Sequence, residues 1–163
     1  MNVIEAIENK RAIRSFKQKP LPEPVVRAIL DAGRRAQSSK NTQPWQFIAV
    51  QDKERLAALS KLGKYASHVK DAALAIVLAG PAGVEFDLGQ AAAYMQLAAL
   101  EHGVGSCLVA IYEPGEARKL LNVPDGYQMH IAIDFGYPSK TEQEKTLGKG
   151  RKDLQDVTHW ETW

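Results

Sequence analysis

Cysteine is nearly missing from this chain: Cys107 is the only one among 163 residues. An internal disulfide is therefore impossible, and a cysteine-rich metal site is excluded. Long apolar runs are missing too. The longest, Ala72 to Ala79, is far too short to span a bilayer, so no membrane partner is expected. There is no GxxxxGK[ST] phosphate loop and no GxSxG nucleophile elbow. Gly103-Val104-Gly105 lacks a third glycine at the right spacing and follows a helix-like segment, so it is not a dinucleotide fingerprint. His68, His102, His130 and His159 show no HExxH or paired metal spacing and read as surface or core histidines. No base is identifiable for Cys107, which reads as a small buried residue. A net charge of +2 provides no strong field for nucleic acid or membrane. Acids stand in the N-terminal turn where a signal peptide needs a basic region, so a cytoplasmic protein is expected.

What is present suits one domain over residues 1–163, with 45% hydrophobic and 25% charged residues. Val3, Ile4 and Ile7 have helical spacing behind a possible Asn2 N-cap. Leu21-Pro22-Glu23-Pro24 opens a second helix with Val25, Val26, Ile29 and Leu30 on its apolar face. Trp45 to Val50 reads as a strand, and Asp52 can cap a helix to about Leu62. Tyr65 to Val69 is expected to form a further helical turn. Ala73 to Ala79 is predicted to be a buried central strand. Phe86 to His102 is the strongest helix and has almost no polar face, so every side of it must be covered, a second subunit being a plausible part of the cover. Glu85 and Asp87 at its start could form an acid/base pair, but the default reading is surface carboxylates. Ser106 to Tyr112 is strand-like, Pro114 to Leu121 a short helix, and Gln128 to Phe135 a strand with Met129, Ile131, Ile133 and Phe135 alternating. The tail closes with Val157, Trp160 and Trp163, which need an apolar partner. Helices first, then strands alternating with helices, indicate mixed α and β structure around one sheet.

Two stretches carry the chemistry. Residues 10–19 hold Lys10, Arg11, Arg14, Lys17 and Lys19 with no acid among them. Lys149, Arg151 and Lys152 form a second basic group. If a helix persists past residue 10, Lys10 and Arg14 share a face and can clamp a phosphate. The bland alternative is a solvated helix end. Ala36 to Trp45 supplies the hydroxyls and amides of Ser38, Ser39, Asn41 and Gln43, which suit the edge of a heteroaromatic ring. Pro44 bars Gln43 from the helical region, so an extended, rigid loop is expected there, anchored by Trp45.

Taken together, these stretches resemble a known family. Lys10-Arg11-Ala12-Ile13-Arg14-Ser15-Phe16 is similar to the "RRSxRxF" signature of FMN-dependent nitroreductases. Ala36 to Phe47 is similar to that family's "APSxxNxQPWxF". Leu97 to Cys107 resembles "LAAxxxGLGSC", Ile131 to Pro138 its "GYP" strand, and Arg151-Lys152-Asp153-Leu154 its "RKPL" tail. Ala12 and Gln37 depart from the usual Ser and Pro, and Gly80 to Asp87 is short where relatives carry an excursion near the pocket.

The resemblance implies an α+β fold, with a central, mostly antiparallel sheet flanked by helices, in an intertwined homodimer with FMN at its interface. By position, Lys10, Arg11, Arg14, Lys149 and Arg151 would hold the phosphate and one edge of the flavin. Ser38, Ser39 and Asn41 would reach it from the other subunit. The backbone of Val109, Ala110 and Ile111 would lie against the ring. NADH or NADPH would be the reductant, and a nitroaromatic, quinone or similar small conjugated molecule the acceptor, with no catalytic side chain required. Two further readings stay open: a non-catalytic FMN-binding protein, and a small basic nucleic-acid-binding domain. The second is disfavoured because aromatics are not interleaved with the cations.

Overall fold

Asn2 opens the first helix, α1 (Val3–Asn9), through a full capping box: its side chain accepts the Glu5 N–H, and the Glu5 side chain accepts the Asn2 N–H. The structure, a computed structural model, describes residues 1–144 and 150–163. Helix α2 (Glu23–Arg34) starts with Pro in its first turn. Strand β1 (Gln46–Val50) is followed by α3 (Lys53–Leu59), where the Asp52 carboxylate accepts the Arg55 N–H at 2.9 Å. The expected turn after it is a 3-10 turn at Ser67–Asp71. Strand β2 (Leu74–Gly80), α4 (Glu85–Glu101), β3 (Gly105–Ala110), α5 (Pro114–Leu121), β4 (Gln128–Gly136) and α6 (Lys140–Glu144) complete the order.

The four strands form one antiparallel sheet in the order β1-β2-β4-β3. Both faces are covered. On one side α2 and α4 bury Ile29, Met95, Ile76, Leu78, Ile133 and Phe135. On the other, α3, the 3-10 turn and α5 bury Leu56, Val69, Ala117, Ala75, Val77 and Ala132. This double cover explains why β2 reads as an unbroken apolar run: all seven residues are buried. A fully buried Ile or Leu here contributes about 1.5–3 kcal/mol.

Strand β4 departs from the simple alternation read from its sequence. Ile133 and Phe135 face α2 and α4, but Met129 packs into the opposite layer. A register shift between Leu78 and Gly80, where β2 meets Gln128, accounts for the change of side.

Not every apolar residue finds cover within the chain. Val3, Ile4 and Ile7 of α1, Phe86 of α4, and Leu154, Val157, Trp160 and Trp163 of the tail are all exposed, Trp163 completely, at 100%. For the tail, this leaves the apolar partner expected of it unsupplied among the described residues. Among the described residues, no helix is long and apolar enough to cross a membrane.

Candidate active site

The basic run does not continue α1. Lys10 is the C-cap with extended backbone (φ −65°, ψ 120°), so the shared helical face expected for Lys10 and Arg14 does not form. The segment instead runs beside β3: Ala12 bridges Ser106 in parallel fashion, and the Ile13 N–H donates to the Ser106 carbonyl at 2.9 Å. Extended backbone turns every second side chain to the same side, so Lys10 and Arg14 still project together. Gly105 makes this docking possible. A Cβ there would lie 2.6 Å from Ile13 Cγ1 and push the segment off the strand.

Strand β3 is the edge of the sheet. Outward-facing residues alternate along an antiparallel edge. The Ser106 carbonyl meets Ile13, and beyond the strand the Tyr112 N–H donates to the Leu62 carbonyl at 2.8 Å. Leu108 and Ala110 share that outward parity. No hydrogen bond among the described residues takes the outward N–H of either. Gly63 closes the far end: a Cβ on it would stand 2.4 Å from the Ala110 carbonyl oxygen.

A cavity of about 580 Å³ opens along this stretch of edge. Leu108, Val109 and Ala110 line one side, and Arg14, Lys64 and His68 line the rest with Tyr65, Ser67 and Tyr112. Its size is that of a small-ligand site. Among the described residues no carboxylate lines it. Lys10 lies close behind: burial pushes its ammonium below the ordinary lysine value, the neighbouring Cys107 opposes this, and the charges of Arg151 and Arg14 add to it. Lys10, Arg14 and Arg151 therefore form one cationic cluster. Arg11 turns elsewhere and donates to the Glu142 carbonyl in α6. Ile111 is buried beyond the cavity. Lys149 lies outside the described residues.

The loop from Ala36 to Trp45 sits at the opposite edge of the sheet, where it leads into β1. Three inter-strand gaps, roughly 14 Å at about 4.8 Å each, separate that edge from β3. Ser38, Ser39 and Asn41 are thus not brought to the cavity of their own chain. The loop is nonetheless built with care. Lys40, Asn41 and Gln43 all adopt left-handed backbone, with φ of 51°, 55° and 50°. Gln43 leaves the right-handed helical region as its neighbour Pro44 requires, but its positive φ is not the extended conformation expected. Three such residues in four positions are costly and need support. The Ser38 hydroxyl accepts the Gln43 N–H at 2.9 Å, and Trp45 is buried under α2 and α4. Asp87 supplies more. It is not a surface carboxylate: it is 8% exposed, and it accepts the Ser39 N–H at 3.3 Å.

Beneath the cavity, His68 Nδ1 and Asp134 Oδ2 lie 2.5 Å apart, and Asp134 Oδ1 accepts the Cys107 N–H at 3.0 Å. The bond to Asp134, and then contact with Cys107, raise His68 to about 9 against the effect of burial. Burial pushes Asp134 above the usual carboxylate range, and its bonds to His68 and Cys107 pull it back. A histidine thus stands next to Cys107, although none could be recognised from sequence, and it is held in its protonated form. The available signal was Asp134 itself, the one acid in the otherwise apolar run Ile131 to Phe135, which demands a buried partner. Lys64 and Tyr65 carried no comparable mark.

An antiparallel sheet whose open edge faces a cationic cavity is suited to an anionic ligand that can accept backbone N–H groups. Residues 2–162 match the family described as "Putative TM nitroreductase". The chain is 30% identical to the "Putative NADH dehydrogenase/NAD(P)H nitroreductase" of Methanothermobacter thermautotrophicus, over 100% of this chain and 88% of that protein. Its fold is similar to an FMN-dependent nitroreductase of Clostridium difficile, with a TM-score of 0.89 and 30% identity over 99% of this chain and 100% of that one. A protein from Bacteroides thetaiotaomicron described in the same words as the Methanothermobacter relative gives a TM-score of 0.88 at 26% identity, covering 98% and 97%. The chain belongs to the nitroreductase family.

Proposed function

We propose that this chain, acting as one domain over residues 1–163, is an NAD(P)H-dependent FMN oxidoreductase for nitroaromatics, quinones or similar conjugated acceptors. The observation that supports it is the cationic cavity on the open edge of β3. Such a site fits FMN: Lys10, Arg14 and Arg151 match a phosphate, and outward backbone N–H groups match the acceptor-rich rim of the ring. By parity the N–H groups that reach the ligand are those of Leu108 and Ala110, while Val109 contributes its place on the wall. Arg11, tied to Glu142, holds the C-terminal segment near the site. When bound, FMN supplies the hydride chemistry between a nicotinamide donor and the acceptor. The lone, buried Cys107 is in keeping with a reducing, cytoplasmic setting.

The working unit in this reading is a homodimer. The exposed apolar residues of α1, α4 and the tail supply its interface. The strained loop then presents Ser38, Ser39 and Asn41 to the partner's cavity, which explains why so costly a backbone stands so far from its own. A mixed dimer tests the sharing. Arg14→Ala and Ser39→Ala/Asn41→Ala chains each bind FMN poorly as homodimers. Co-refolded and isolated, the heterodimer contains one site of two with neither change, so close to half of the normal FMN content returns in it. If each site were built within one chain, mixing would restore nothing.

A further inference from the structure

His68, Asp134 and Cys107 are tied together in a way that binding FMN alone does not explain. Asp134 is completely buried in the middle of β4, and both its oxygens are engaged, one by His68 and one by the β3 backbone. A single carboxylate therefore joins the cavity wall to the edge strand. The pair is also polarised. His68 lines the cavity and Asp134 stands behind it, so a ligand meets the positive end. An apolar pair of equal volume would stabilise the fold as well or better. The titratable and charged groups around His68 are Asp134 on β4, the Cys107 thiol on β3, Lys64 on the wall, and Arg14 with Lys10 and Arg151 on the terminal segments.

We propose that His68 is a positioning residue that sets the reduction potential of the bound flavin, its Asp134-oriented ring favouring the reduced, more negatively charged ligand over the oxidised one. This rests on the reading that FMN occupies the cavity. The ring carries a proton at neutral pH, because Asp134 and Cys107 hold it at about 9. Its charge is therefore fixed in place before any electron arrives and needs no reorganisation.

The test uses the FMN-loaded protein. His68→Asn retains an amide that can donate to Asp134 but removes the charge. The expected result is about a tenfold loss in affinity for reduced relative to oxidised FMN, read as a midpoint potential lower by about 30 mV. A residue that merely packs would weaken both redox forms equally and leave the potential unmoved. Should the variant fold poorly, the wild-type protein provides the same information. Linkage is reciprocal, so the His68 ring, followed by NMR, titrates about one pH unit higher when the flavin is reduced. An unchanged potential in folded, FMN-loaded His68→Asn protein overturns the proposal, as does identical His68 titration in the two redox states. A wild-type protein that takes up no FMN overturns the functional reading along with it.

Discussion

Asp134→Asn is expected to destabilise the protein by about 3 kcal/mol at pH 7, because it removes the counter-charge that keeps the buried His68 ring protonated, and with it the stability that this protonation contributes. Against a typical total of about 5–15 kcal/mol, that is a large fraction. The pH dependence has a definite sign. His68 is raised in the folded state, from 6.5 to about 9, so the stability it contributes is fully present below pH 6.5 and is lost as pH rises through 9. The gap between wild type and Asp134→Asn therefore narrows across that window. Urea unfolding of both proteins from pH 6 to 10 measures it. A gap that stays constant to pH 10, or one below about 0.5 kcal/mol throughout, would show that the pair is not the charged brace described here.

Arg14→Ala is the second large effect. Arg14 lines the cavity and lies within the electrostatic reach of Lys10. Loss of a charge-assisted, bidentate contact to a phosphate is expected to cost about 2 kcal/mol, or roughly a thirtyfold weaker FMN dissociation constant. Arg14→Lys keeps the charge and loses the fork, so it should fall between the two. Quenching of flavin fluorescence on titrating apoprotein measures all three. Affinity within twofold of wild type in Arg14→Ala would remove Arg14 from the site.

The fold was largely legible because its signals are local. An unbroken apolar run marked β2, capping residues marked α1 and α3, and proline and glycine marked the helix ends. The site was legible in part. Lys10, Arg14 and Arg151 stood out by charge, but a helix was expected to align the first two, and docking of Ala12 against Ser106 does so instead. Such a contact spans 94 residues of chain and leaves no periodic trace. His68 stayed hidden for the same reason: its meaning depends on Asp134, which is brought to it only by the sheet. Asp87 read as surface because nothing local shows that the Ser39 backbone will need it. The left-handed backbone at Lys40, Asn41 and Gln43 was also invisible, since none of them is glycine.

The central claim, that this chain holds FMN and passes electrons through it, meets its most direct test in the visible spectrum of the purified protein under anaerobic conditions. The expected protein is yellow, either as isolated or after FMN addition and desalting, and NADH or NADPH bleaches it, with colour returning when a quinone is added. Retained colour that neither nicotinamide can bleach would mean a flavin-binding protein without the activity. A protein that stays colourless after FMN addition would refute the claim outright.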